Sequence, residues 1–72
     1  MEKLNKFAVR LREVRKERNL TQVQLANAIG IYKSPSISEW ENAKKEPCID
    51  TIIKLSKVLN VTVGYLVGAE DY

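Results

Sequence analysis

Residues 21–42 constrain this chain more than any other stretch: TQVQLANAIG, the connector IYK, then SPSISEWEN. Thr21, followed three residues later by Gln24, forms a capping box. Leu25, Ala26 and Ile29 then recur at helical spacing until Gly30 stops the element and lets the chain turn. A second short helix follows, and its start is open between two registers. Ser34 can cap it with Pro35 at the first helical position, or Ser36 and Glu39 can form a capping box further in. Either start gives the same two faces. Ile37, Trp40 and Glu41 share one side, and Pro35, Ser38, Glu39 and Asn42 share the other.

Two brief capped helices, the second with a short polar outer face, are what a chain needs to push one helix into a DNA groove. The same pattern also fits a plain helical hairpin in a small bundle. At 72 residues the chain is one domain. A chain of that size buries only about 60% of its unfolded surface, so a catalytic cleft on so small a core is hard to build. No histidine, glycine-rich phosphate loop or isolated acid pair offers a candidate for acid–base or nucleophilic catalysis, and no enzyme is expected. The formal charge is +3, and it rises to +6 when Glu2, Glu70 and Asp71 are set aside. That balance suits a polyanionic partner and equally suits a merely soluble basic surface. One cysteine, Cys48, and no histidine provide neither an internal disulfide nor a zinc cage, and no cofactor is expected. No apolar run approaches the roughly 20 residues of a membrane span, and MEKLNKFAV lacks the apolar segment of a secretory signal, so the expected location is the cytoplasm.

The flanks read as three more helices. Leu4, Phe7, Ala8, Leu11 and Val14 mark one stripe of a helix over 4–18, with Lys6, Arg10, Arg12, Lys16 and Arg18 on its other faces. Arg15 lies at the edge of that stripe, and Glu41 lies beside Ile37 and Trp40 on the inner side of the later helix. Buried charge demands a partner, so the two are expected to form an ion pair tying the first helix to the third. Lys44 and Lys45 follow the third helix, placed to reach phosphates. A fourth helix over 49–59 is expected to bury Ile49, Ile52, Ile53, Leu55, Ser56, Val58 and Leu59, with Cys48 as a poor cap and Asn60 as its stop. Thr62 caps a last helix over 62–67 that ends at Gly68, with Gly64 weakening it by roughly 1 kcal/mol. The expected fold is all-α, a compact five-helix domain around a central helix-turn-helix, with helices over 4–18, 21–29, 34–42, 49–59 and 62–67.

LREVRKERNLTQVQLANAIG, SISEWENAKKEP and IDTIIKLSKVLNVTVGYLVG together resemble the phage repressor and Cro type of helix-turn-helix domain, also called XRE-like. The likeness covers residues 4–68, and its hallmarks are T-Q-x-x-L-A, I-S-x-W-E-N, the following proline and L-N-V-[ST]-x-x-x-L. The resemblance implies a lambda-repressor-like domain that binds double-stranded operator DNA, usually as a homodimer. It places Gln22 on phosphate, Ser34, Pro35, Ser38 and Glu39 on base edges, and Asn42, Lys44 and Lys45 on the backbone. It also makes Arg15 and Glu41 a structural pair. GIYKSP is one residue longer than the usual turn, so Lys33 and Ser36 can take the contact roles of Ser34 and Pro35. Ala43 stands where the family usually has glycine, and Cys48 where it usually has a serine cap. Relatives pair around the last helix, which points to Val63 and Tyr65 as dimer contacts, while Val61 is expected to pack inward. The implied function is transcriptional regulation, most simply repression. The alternative is an antitoxin or other protein-interaction module using the fold as scaffold, and a protein antagonist is a conceivable partner.

Overall fold

The computed structural model describes the backbone of residues 2–31 and 35–70, and the side chains of those from Lys6 onward. Five helices run in order: α1 Glu2–Glu17, α2 Gln22–Ala28, α3 Ser36–Glu41, α4 Ile49–Leu59 and α5 Val63–Leu66. No strand occurs among the described residues. The stripe of α1 is buried as its spacing requires at Phe7, Ala8, Leu11 and Val14, and Phe7, Leu11 and Val14 share one core cluster with Leu25, Ala26 and Ile29 of the second helical segment. Ile37 and Trp40 of α3, Leu55 and Leu59 of α4 and Leu66 of α5 complete the core. Each fully buried Leu or Ile contributes about 1.5–3 kcal/mol relative to exposure. Packing runs α1 on α3 and α5, α2 on α3, and α4 on α5, so α3 is gripped by the two helices before it.

Local chemistry sets the helix ends. The α2 capping box is formed: Gln24 N donates to Thr21 Oγ1 at 3.0 Å, and Thr21 N donates to Gln24 Oε1 at 2.8 Å. Thr62 caps α5 by accepting from Tyr65 N at 3.0 Å. For α3, neither expected cap register is adopted. Pro35 sits at the cap, where it has no side-chain oxygen to offer, and Ser36 is the first helical residue. Helix 3 therefore begins two residues later than expected. At α4, Cys48 holds the cap position without a side-chain cap bond, and its thiol lies 3.3 Å from Thr51 Oγ1. That hydrogen bonding draws the thiol pKa below its ordinary value.

All five helices hand over through a left-handed residue: Asn19, Gly30, Ala43, Asn60 and Gly68, with φ between 58° and 87°. At four of them a paired motif returns N–H groups to the last turn, as in Gly30 N to Asn27 O and Ile31 N to Ala26 O. Leu20 and Ile31, just beyond two of these turns, pack on the core and fix the exit angle. Among the described residues Ala43 is the one left-handed residue that is neither glycine nor asparagine. Its Cβ is crowded against the backbone in that conformation at about 1–2 kcal/mol. Ala43→Gly is therefore expected to stabilise the domain by about 1 kcal/mol, raising Tm by about 4–8 °C. An unchanged or lower Tm in a thermal melt would contradict this account of the turn.

Three α4 expectations are corrected. Ile49 is 60% exposed, Ile53 38% and Val58 37%. Apolar residues extend around more of α4 than its neighbours cover, so only Leu55, Ser56 and Leu59 are fully enclosed, with Ile52 half-buried. Gly64 lies close under the end of the Glu70 side chain. A Cβ there would come within 2.5 Å of the Glu70 carboxylate, which folds back to accept from Thr62 Oγ1 at 2.7 Å. The segment after α5 is strapped to α1 by Arg10, which donates to the carbonyls of Tyr65 and Glu70 and lies 4.4 Å above the Tyr65 ring.

Candidate nucleic-acid interface

Burial of Ile37 and Trp40 turns the opposite side of α3 outward, where Pro35 and Asn42 are exposed and Ser38 and Glu39 are half-buried. Asn42 Nδ2 donates to Ser38 Oγ at 3.3 Å, which orders two short polar groups one turn apart. Glu39 Oε2 lies 3.8 Å from Lys45 Nζ, and Lys44 and Lys45 are both exposed just past the helix. Ser36 is half-buried at the helix start. Lys33 and Ser34 lie outside the described residues.

Behind that face sits the ion pair. Arg15 Nε donates to Glu41 Oε2 at 2.5 Å and Arg15 Nη2 to Glu41 Oε1 at 3.0 Å, a two-point fork joining α1 to α3. The side chains are 10% and 4% exposed. The remaining Arg15 amine, Nη1, donates to Leu20 O at 2.8 Å and fixes the chain entering α2. Donating to the Glu41 carboxylate raises the Arg15 pKa further, against the opposing effect of burial. A base whose folded pKa is raised contributes stability that is fully present below its unfolded pKa. The pair's Arg15 side therefore holds throughout the neutral range and is lost only in strong alkali.

Gln22 joins this cluster. Its Nε2 donates to Glu41 Oε1 at 3.1 Å, so the residue at the start of α2 is oriented by the last residue of α3. One of its two amide hydrogens is thereby committed. Nothing in the sequence signals this contact across 19 positions. Near the other end, Tyr65 is half-buried beneath Arg10 and packs on the core with Val61, while Val63 is half-buried. Among the described residues no helix is long and apolar enough to cross a membrane.

A short helix held from behind, separated from its predecessor by residues 29–35 and polar on its front, defines a helix-turn-helix domain. The chain belongs to the helix-turn-helix family of the phage repressor and Cro (XRE-like) type: the family profile matches residues 11–66. It is 40% identical to the uncharacterized helix-turn-helix transcriptional regulator YobD of Bacillus subtilis over 65 residues, covering 90% of this chain and 57% of YobD. It is 34% identical over 65 residues to the cryptic phage CTXphi transcriptional repressor RstR of Vibrio cholerae, covering 90% of this chain and 58% of RstR. The immunity repressor of Bacillus phage phi105 is 34% identical over 61 residues, covering 85% of this chain and 42% of that repressor. The chain thus spans about half the length of the curated relatives it matches. No solved structure matches it significantly.

Proposed function

We propose that this chain is the DNA-reading domain of a transcriptional regulator, a repressor that occupies a palindromic operator by laying α3 in the major groove. The observation that carries this reading is the polar front of α3, exposed at Pro35 and Asn42 and half-buried at Ser38 and Glu39, while Ile37, Trp40 and the Arg15–Glu41 pair hold its back. Short side chains at Pro35 and Ser38 let the helix backbone approach base edges, and Glu39 accepts a hydrogen bond from a cytosine amino group. Asn42, Lys44 and Lys45, with the remaining amide hydrogen of Gln22, take backbone phosphates. Lys33, Ser34 and Ser36 precede or open the helix and complete the contact stretch. Two phage relatives are named repressors, which supports repression, and one equally similar relative is named an activator. The protein works in the cytoplasm, where the operator is, and has no catalytic role.

Two copies reading a palindrome need recognition helices about 34 Å apart, one turn of DNA. Val63 offers a side chain for that pairing, whereas Tyr65 has one ring face already under Arg10 and contributes through its remaining edge. Selection of bound sequences from random duplex DNA tests the reading. A recurrent two-fold symmetric site is expected, and a bound pool without any shared sequence would overturn it.

A further inference from the structure

A serine inside a helix ordinarily gives its hydroxyl proton to a carbonyl in the preceding turn. Ser56 of α4 does so, donating to Ile53 O at 2.7 Å. Ser38 of α3 differs. Among the described residues its hydroxyl has one partner, the Asn42 amide, and toward that partner it is the acceptor, at 3.3 Å. The backbone holds the pair in register, since Asn42 N donates to Ser38 O at 3.0 Å and closes the last turn of the helix. The adjacent carboxylate does not take the proton either. Glu39 follows Ser38 directly and points to another side of the helix, where its Oε2 lies 3.8 Å from Lys45 Nζ.

A hydroxyl carries one donor and two acceptor sites, and left alone it serves a base donor or a base acceptor alike. The Asn42 bond removes that freedom. With acceptance already met by the amide, the proton is what still needs a partner, and accepting a hydrogen bond strengthens the donation that follows. A base amino group placed against Ser38 would strand that proton without an acceptor, which costs more than an unused lone pair. We propose that Asn42 is a positioning residue that commits Ser38 to donate, and that the base it reads is guanine, through O6. Guanine presents two acceptors in the major groove and no donor, whereas adenine sets an amino group where guanine has O6. The inference rests on the DNA-reading function proposed above and names the base that one position of α3 takes. The second amide hydrogen of Asn42 stays available to phosphate.

The test takes the duplex selected by the whole chain and compares guanine with adenine at each position, for the wild type, Ser38→Ala, Asn42→Ala, Asn42→Asp and the double variant Ser38→Ala with Asn42→Asp. One position should favour guanine about three- to tenfold, the worth of one hydrogen bond, and lose that preference in Ser38→Ala. Asn42→Ala should reduce the same preference toward parity while Tm stays as in the wild type, because the released hydroxyl serves either base. Asn42→Asp should reverse it to adenine: the carboxylate takes the Ser38 proton and leaves Oγ to accept from the adenine amino group. The reversal should vanish in the double variant, since the aspartate acts through Ser38. A mere loss of helix order would instead weaken binding to every sequence and leave the ranking intact. A guanine preference that survives Asn42→Ala, a reversal that survives Ser38→Ala, or no position that responds to Ser38→Ala would overturn the positioning role while leaving the DNA-reading function standing. A wild-type chain that selects no shared sequence would overturn both.

Discussion

Glu41→Ala is expected to destabilise the domain by about 3–5 kcal/mol, because it leaves the Arg15 guanidinium enclosed with no anion to answer it. For a domain of this size each kcal/mol moves Tm by about 4–8 °C, so the melt should fall by at least about 12 °C. Small domains have only about 5–15 kcal/mol of stability in total, and a measurable unfolded fraction at growth temperature follows. The loss comes from stranding a charge, which predicts an asymmetry. Replacing both partners with apolar residues of similar volume, Arg15→Met with Glu41→Leu, should recover most of the stability even though the ion pair is gone. That double variant should still bind DNA less well, because Gln22 loses the acceptor that orients it. Equal melting temperatures for wild type and Glu41→Ala would remove the pair from the account of the fold.

Glu39→Ala and Lys44→Ala should separate base reading from backbone contact. Glu39 lies half-buried on the polar side of α3, and its loss should relax preference at one base pair by about 1–3 kcal/mol and leave other positions unchanged. It should also raise affinity for non-cognate DNA, since a negative charge leaves the interface and Lys45, now 3.8 Å from that carboxylate, is released toward phosphate. Lys44→Ala should instead weaken binding to every sequence and flatten the salt slope by about 1. Competition against single-base operator variants at two salt concentrations distinguishes them. Identical, sequence-independent losses in both variants would show that Glu39 reads no base.

Much of this architecture is legible without coordinates, and the reasons are local. Thr21 and Gln24 are three residues apart whatever the rest of the chain does, so their mutual capping is a property of the segment. The stripe on α1 follows from helical period, and Arg15 at its edge could be matched with Glu41 because each alone would be an unanswered charge. The α3 start was less legible: Ser34, Pro35 and Ser36 offered two registers of similar local merit. Packing of Ile37 and Trp40, beyond the reach of capping rules, sets where the turn ends. Ile49, Ile53 and Val58 look as buried as Leu55 by composition, yet α4 has neighbours on only part of its circumference.

The order of apolar and capping residues by itself determined five helices, their approximate limits and the direction in which α3 turns its polar side. Those features depend on interactions within one or two helical turns, whose geometry is fixed by the backbone. Only the tertiary structure decided that Gln22 leans on Glu41 and that Arg10 straps the segment after α5. Each of these depends on where separate helices come to rest against one another, and a side chain's partner across such a gap is set by the shape of the whole core.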